Sequence, residues 1–237
     1  MIEPATGAVI RRTIAENVRR LREEIAQAAH RAGRHPEEVI LLAVTKTRTP
    51  AEVDAVIEAG VALIGESRVQ EAEQKKPQVK NTAEWHLVGH LQRNKAKRAV
   101  GLFSVIQSLD SVRLAEKLAQ YGDAAQPVDV LVEVNTSGEE SKFGVAPDGT
   151  LDLLDAVREL PGLRLRGLMT VGVLSDDEQR ARRCFERIRT IRDRARSAYP
   201  DLALDVLSMG MTSDFRWAVA EGSTMVRIGT AIFGPRP

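Results

Sequence analysis

Eight short apolar segments alternate with segments of helical periodicity along the chain, and this alternation limits the possible fold more than any other feature. Segments such as Leu41–Val44 carry consecutive apolar residues, which is typical of strands buried on both faces of a parallel sheet. Eight strand–helix units in 237 residues favour a (β/α)8 TIM barrel, with an open doubly wound sheet as the alternative. The predicted strands are residues 40–45, 61–65, 85–88, 103–107, 128–134, 165–171, 203–207 and 225–228.

An additional helix is predicted before the first strand. Ile14, Val18, Leu21 and Ile25 recur at helical spacing with charged residues between them, which predicts a helix over about residues 10–33. The barrel would then occupy about residues 40–234. Because no linker rich in Pro, Gly or Ser interrupts the chain, residues 1–237 are predicted to form a single domain.

Charge and composition argue against several classes of protein. Lys and Arg total 34 against 33 Asp and Glu, so a net charge of +1 predicts no general attraction to nucleic acid or to a membrane. No apolar run is long enough to span a bilayer, and the first residues lack the apolar core of a signal peptide. The single cysteine, Cys184, rules out an internal disulfide. We therefore expect a cytoplasmic protein.

The first predicted strand ends at a lysine, Lys46. The carboxyl ends of the strands are where barrels place their chemistry. A partly desolvated lysine amine at that position can be neutral and can attack a carbonyl carbon. The alternative is a strand-end lysine whose amine simply reaches water.

Two loops near the C-terminus suit phosphate binding. Barrels often hold phosphate with the loops after strands seven and eight. Glycines there allow backbone amides to approach an anion closely, and hydroxyl side chains can donate hydrogen bonds to it. With a lysine after strand one, these loops indicate an aldehyde that carries a phosphate. The candidate residues are Ser208, Gly210, Thr212, Ser213, Gly229 and Thr230.

Several segments resemble one known family, the pyridoxal phosphate homeostasis proteins. The resemblance covers nearly the whole chain from residue 10 onward. It is carried by LLAVTKT (41–47), WHLVGHLQRNK (85–95), SKFG (141–144), LRGLMT (165–170), LSMGMTSDF (207–215) and GSTMVRIGTAIFG (222–234).

The resemblance implies a barrel like the N-terminal domain of alanine racemase, with pyridoxal 5′-phosphate held as a covalent imine on Lys46. It places an arginine, here Arg227, beside the pyridine nitrogen, and His86 becomes a further candidate at the barrel mouth. The phosphate-binding positions of the family match Ser208, Met209, Thr212, Gly229 and Thr230.

Two positions depart from the family pattern. The family usually has asparagine after the second strand, whereas this chain has Ser67, so the contact made by that asparagine is in doubt. The family also usually has serine where Thr212 stands, a change that keeps the hydroxyl group.

Two functions remain open on the sequence alone. The first is a cofactor carrier without catalytic turnover, which acts in vitamin B6 and amino-acid homeostasis and meets apo-enzymes of pyridoxal phosphate transiently. The second is a pyridoxal-phosphate-dependent amino-acid racemase, which needs a second proton-transfer group opposite Lys46. Tyr121 and Tyr199 lie near predicted helix ends, away from the ligand groups. We therefore favour the carrier and expect no catalytic residue. We also expect the protein to be a monomer.

His86 and His90 are four residues apart but lack further ligands, so no metal site is predicted.

Overall fold

The computed structural model of the protein describes residues 4–173, 175 and 177–235. Eight strands form a closed barrel in the order β1 to β8, and each strand pairs in parallel with its neighbours. This confirms the predicted (β/α)8 barrel and excludes the open doubly wound sheet. The strands are β1 Ile40–Val44, β2 Leu63–Glu66, β3 Glu84–Leu87, β4 Val105–Leu109, β5 Val128–Glu133, β6 Leu163–Met169, β7 Val206–Ser208 and β8 Met225–Ile228.

Helices follow the strands and cover the outside of the barrel. They are α1 Pro4–Arg31, α2 Pro50–Glu58, α3 Val69–Lys75, α4 Ala96–Leu102, α5 Val112–Ala119, α6 Thr150–Arg158, α7 Glu178–Ala198, α8 Phe215–Ala220 and α9 Thr230–Phe233. Short 3-10 turns lie at Pro36–Glu38, Lys76–Gln78, Arg93–Lys95 and Pro147–Gly149. No helix in the described part of the chain is long and apolar enough to cross a membrane.

The additional N-terminal helix is present and longer than predicted. Its predicted apolar residues, Ile14 to Ile25, are buried against α2, α8 and α9. The amide of Asn17 donates a hydrogen bond of 2.9 Å to the carbonyl of Ile232, which ties α1 to the segment after β8. This helix therefore packs against helices that flank β1 and β8 in the sequence, and these two strands pair with each other.

The start of α2 fixes the loop that carries Lys46. Thr49 caps the helix, its hydroxyl accepts the amide of Glu52, and the Glu52 carboxylate accepts the amide of Thr49 in return. Pro50 occupies the first turn, where its missing amide hydrogen costs nothing. This reciprocal cap stabilises the chain three residues beyond Lys46.

The largest difference from the predicted strands lies at β7. The strand was predicted at residues 203–207, but it spans Val206–Ser208. Residues before it form a turn in which the amide of Leu204 bonds to the carbonyl of Leu202. Alternating apolar residues in that turn imitate a strand pattern, which explains the wrong boundary. As a result Ser208 belongs to the strand, where it is fully buried, rather than to the loop that follows.

Candidate functional site

A cavity of about 370 Å³ opens at the carboxyl ends of β1 and β8 and beside the loop after β7. It brings together six of the predicted site residues. Three of its nine described lining residues have basic side chains and none is acidic, so it is suited to an anion. Arg48 and Met211 also line it and were missing from the predicted site. The lining residues are Val44, Lys46, Arg48, Met211, Thr212, Ser213, Arg227, Gly229 and Thr230.

Lys46 lies two residues beyond the end of β1 and is half-buried. The next residue, Thr47, has a backbone φ of +65°, which is an uncommon conformation for a β-branched residue. Its amide donates a hydrogen bond to the carboxylate of Glu71 on α3. Strain of this kind persists only where surrounding contacts enforce it. The backbone at Lys46 is therefore held in a defined geometry by a neighbouring helix.

A buried lysine organises the groups beneath this loop. The Lys75 ammonium donates to the carbonyl of Thr45 at 2.7 Å and to the carboxylates of Glu66 at 2.6 Å and Glu71 at 2.8 Å. Burial raises the pKa of Glu66, and the hydrogen bonds from Lys75 and Thr45 oppose that rise. Since Thr45 precedes the site lysine and Glu71 holds the residue after it, this network fixes both sides of Lys46.

Arg227 projects from β8 into the barrel and is buried. Its guanidinium donates to the carbonyl and the hydroxyl of Ser208 at 2.8 Å each, and to the carbonyl of Thr170 at 2.8 Å. Burial lowers the pKa of Arg227 to about 10, against the opposing effect of Glu133 and Asp214. Arg227 therefore remains charged at neutral pH and is held rigidly at the cavity wall.

Two of the predicted site residues, Ser208 and His86, lie inside the barrel instead of lining the cavity. The Ser208 hydroxyl accepts from Arg227 and donates to Gln107 at 2.7 Å. The amide of Gln107 in turn lies 2.8 Å from His86 Nδ1, and His86 Nε2 lies 3.0 Å from Glu84. These side chains form a polar chain across the barrel interior that orients Arg227. Neither Ser208 nor His86 is among the cavity residues.

The loop after β7 is shaped by a glycine. Gly210 has φ +95°, and a Cβ there would meet the Cβ of Ala218 at 2.6 Å. The preceding residue, Met209, is fully buried and its amide already donates to Met225, so it contributes neither side chain nor amide to the cavity. The loop leaves Thr212 at the cavity, where its hydroxyl accepts the amide of Ala231 at 3.3 Å.

The loop after β8 allows close approach to β1. A Cβ on Gly229 would lie 3.2 Å from the carbonyl oxygen of Val44, so a larger residue would crowd the strand that leads to Lys46. The register pairs Ala43 with Ile228, which places Gly229 and Thr230 beside the end of β1. Lys46 and the two phosphate-suited loops are neighbours because β1 and β8 close the barrel.

One acidic residue of the barrel mouth was not predicted. Glu133 ends β5, is buried, and its Oε2 has no hydrogen-bond partner among the described residues. Burial raises its pKa to about 7, Arg227 lowers it, and Asp110 raises it. Asp129, Leu131 and Glu133 occupy alternate positions of one strand and share a face. The acidic residues within this otherwise apolar strand could have indicated from the sequence that Glu133 is a buried carboxyl group.

Replacing Glu133 is expected to change how stability depends on pH. Its folded pKa of about 7 lies above the ordinary 4.5, so the folded protein binds more protons between these values and loses stability as pH rises. Between pH 5 and 8 the free energy of unfolding of the original protein should fall by about 2 to 3 kcal/mol relative to Glu133→Gln. Urea titrations across this range measure the difference, with the exposed Glu140→Gln as control. Parallel curves for the original protein and Glu133→Gln would contradict it.

Other residues singled out from the sequence lie outside the cavity. Ser67, which replaces the family asparagine, is half-buried, and no hydrogen bond of its side chain is found among the described residues. Tyr121 lies under Lys117 and Tyr199 packs on Arg158, so neither of the two tyrosines in the sequence lines the cavity. The described residues contain no group of three or more potential metal ligands.

Comparison with known proteins identifies the family. Residues 12–237 match the family model described as alanine racemase, N-terminal domain. A pyridoxal phosphate homeostasis protein of Pseudomonas aeruginosa is 41% identical over 226 residues, which cover 94% of this chain and 96% of that protein. The chain belongs to the pyridoxal phosphate homeostasis proteins. This confirms the resemblance found in the sequence.

Solved structures of related proteins share the barrel. PipY of Synechococcus elongatus, solved with PLP bound, is 33% identical with a TM-score of 0.81, covering 93% of this chain and all of that chain. An alanine racemase of Corynebacterium glutamicum is 18% identical with a TM-score of 0.75, covering 95% of this chain and 62% of that chain, and it supports the fold alone. The curated relatives are named for homeostasis and not for a reaction, which agrees with the prediction that the protein is not an enzyme.

Proposed function

We propose that the protein binds pyridoxal 5′-phosphate as an imine on Lys46 and acts as a carrier or buffer in vitamin B6 and amino-acid homeostasis, without catalytic turnover. One observation carries this proposal. Lys46 and the two loops suited to phosphate line the same cavity, which contains basic residues and no acidic ones. The PLP-bound structure of the related PipY supports the choice of ligand.

The cavity fits this cofactor in size and chemistry. Its volume of about 370 Å³ lies within the range of small-molecule pockets. Thr212, Ser213 and Thr230 supply hydroxyl donors for the phosphate, and Arg48 adds a charge. When bound, pyridoxal phosphate supplies an aldehyde carbon that reacts with amines and a ring that can accept electrons. Lys46 is the amine that would hold it.

Arg227 favours a carrier over an enzyme. Its guanidinium has a pKa of about 10 and keeps its proton at neutral pH, so it can donate a hydrogen bond to a pyridine nitrogen without transferring the proton. The hydrogen bonds through Ser208 hold Arg227 in place, so the arginine would have to break them to turn away from the cavity. An arginine at that nitrogen makes the ring a weaker electron acceptor and slows loss of an α-proton from a bound amino acid.

A racemase is the alternative function, and it requires a second base. Racemisation needs one group on each face of the substrate, within hydrogen-bond reach of the α-carbon. No tyrosine, histidine or carboxylate is among the described residues that line the cavity with Lys46. The buried acids with a raised pKa, Glu66, Glu133 and Asp214, are not among the lining residues.

The remaining parts of the proposal concern partners and setting. We propose that apo-enzymes of pyridoxal phosphate receive the cofactor through transient contact, and that nucleic acid and membranes are not partners. The protein is proposed to act as a cytoplasmic monomer whose residues 1–237 form one domain.

A combined exchange and transfer experiment tests the carrier. Protein loaded with pyridoxal phosphate is incubated with L-alanine in deuterated water, and α-deuteration and chirality are followed. The loaded protein is also mixed with an apo-aminotransferase whose activity reports transfer. We expect no sustained deuteration and a recovery of aminotransferase activity.

The Lys46→Arg variant, exposed to the cofactor and then desalted, is the matched control for transfer. It should restore little aminotransferase activity, because it keeps a positive charge at the site but cannot form an imine. Lys46-dependent deuteration at many turnovers per minute would overturn the carrier and favour the racemase.

A further inference from the structure

A second cavity is separate from the one that contains Lys46. It has a volume of about 860 Å³ and runs along α7, opposite the start of α6 and the loop after β5. Its floor is apolar, with Leu151, Val173 and Ile191. Arginines of α7 form its rim. We call this cavity the arginine groove, and the two cavities share no lining residue.

Three arginines of the rim lack the ion pairs that Arg182 and Arg189 form on the same helix. Arg183, Arg187 and Arg194 are exposed and form no ion pair or hydrogen bond with any described residue. By contrast, Arg182 and Arg189 both pair with Glu221. The unpaired arginines are thus concentrated along the groove, which is not expected of a helix face that only needs to be soluble.

The position of these arginines is electrostatically unfavourable when nothing is bound. Arg183 and Arg187 are four residues apart on one helical face, where like charges repel. A carboxylate placed between two such arginines relieves that repulsion and accepts charge-assisted hydrogen bonds. The groove is therefore complementary to a ligand with several negative charges.

The dimensions of the groove favour a peptide over a single small anion. Arg183 and Arg194 are eleven residues apart, which is about 16 Å along the helix. One phosphate or carboxylate cannot reach both. An extended peptide of about five residues covers that length, with its side chains pointing alternately to the two sides. Acidic side chains would meet the arginines while apolar ones cover the floor.

The same groove is poorly suited to nucleic acid. No aromatic side chain lines it, so bases would have nothing to stack on. Asp148 and Glu186 also line the groove, so an acidic ligand must place its negative charges beside the arginines and away from these two residues. We propose that the arginine groove is a docking site for an extended segment of a partner protein in which acidic and apolar residues alternate.

Binding of a labelled peptide tests this proposal. The probe is a fluorescein-labelled decapeptide in which Glu alternates with Leu, and its anisotropy is followed during titration with the full-length protein. We expect saturable binding that weakens as salt is added. The double variant Arg183→Gln/Arg187→Gln should bind at least about tenfold more weakly, because two charge-assisted contacts are lost.

A matched variant separates the groove from the overall charge. Arg182→Gln/Arg189→Gln removes the same charge from the same helix outside the groove and should bind the peptide as the original protein does. Thermal melting confirms that both variants are folded. An equal loss in the two variants, or no binding to the original protein, would overturn the proposal. Displacement of the peptide by a ten-nucleotide single strand at lower concentration than by unlabelled peptide would also overturn it.

Discussion

Pyridoxal phosphate is expected to bind the protein at least about a hundredfold more tightly than pyridoxal does. The cavity that contains Lys46 offers hydroxyls of Thr212 and Thr230 and the charge of Arg48, and it has no acidic lining residue among those described. Hydrogen bonds to charged groups contribute roughly 1.5–3 kcal/mol each, so two of them already account for this ratio. Without its phosphate, the ligand keeps only its ring contacts and its reaction with the amine.

Parallel titrations of the two ligands measure this ratio. Thr212→Val keeps the shape of the side chain but removes the hydroxyl. It should therefore weaken the binding of pyridoxal phosphate about tenfold and leave the affinity for pyridoxal nearly unchanged. Thr190→Val, on the exposed side of α7, serves as control. Equal affinity for the two ligands would place the phosphate elsewhere on the protein.

The barrel and its central lysine could be predicted because they depend on local patterns. Short stretches of sequence are enough to recognise the apolar segment that ends at Val44 and the helix-capping residues from Thr49 to Glu52. The order of strands then places Lys46 beside Gly229 through closure of the barrel, which a (β/α)8 fold requires.

The polar network under Lys46 could not be predicted in this way. Lys75 lies on a polar helix and would be expected to point to water. Its three acceptors come from different elements, the end of β1, the end of β2 and α3 itself. Only the folded arrangement brings Thr45, Glu66 and Glu71 within reach of one ammonium group.

The surroundings of Ser208 were not predicted because one strand boundary was wrong. With β7 ending at residue 207, Ser208 would belong to a loop and could face a phosphate. The strand includes Ser208, whose hydroxyl points into the barrel and bonds to Gln107 and Arg227. A shift of one residue thus adds contacts with Gln107 and Arg227 that the sequence did not predict.

Loss of Lys46 should have the largest single effect on cofactor binding. Lys46 is the only lysine among the described residues that line the cavity, and the network of Lys75 and Glu71 fixes the backbone on both sides of it. Lys46→Ala should abolish the visible absorbance of the bound cofactor. Lys46→Arg should abolish it too, because the guanidinium keeps the charge but does not form an imine. Both variants should keep the melting temperature of the original protein to within a few degrees, since Lys46 is half-buried and not part of the core.

Borohydride reduction followed by peptide mapping identifies the lysine that carries the cofactor. Protein saturated with pyridoxal phosphate is reduced, digested and analysed by mass spectrometry for the peptide that carries the cofactor. We expect a single major adduct on Lys46, absent from both variants. A major adduct on a different lysine of the original protein, or undiminished absorbance in Lys46→Ala, would contradict it.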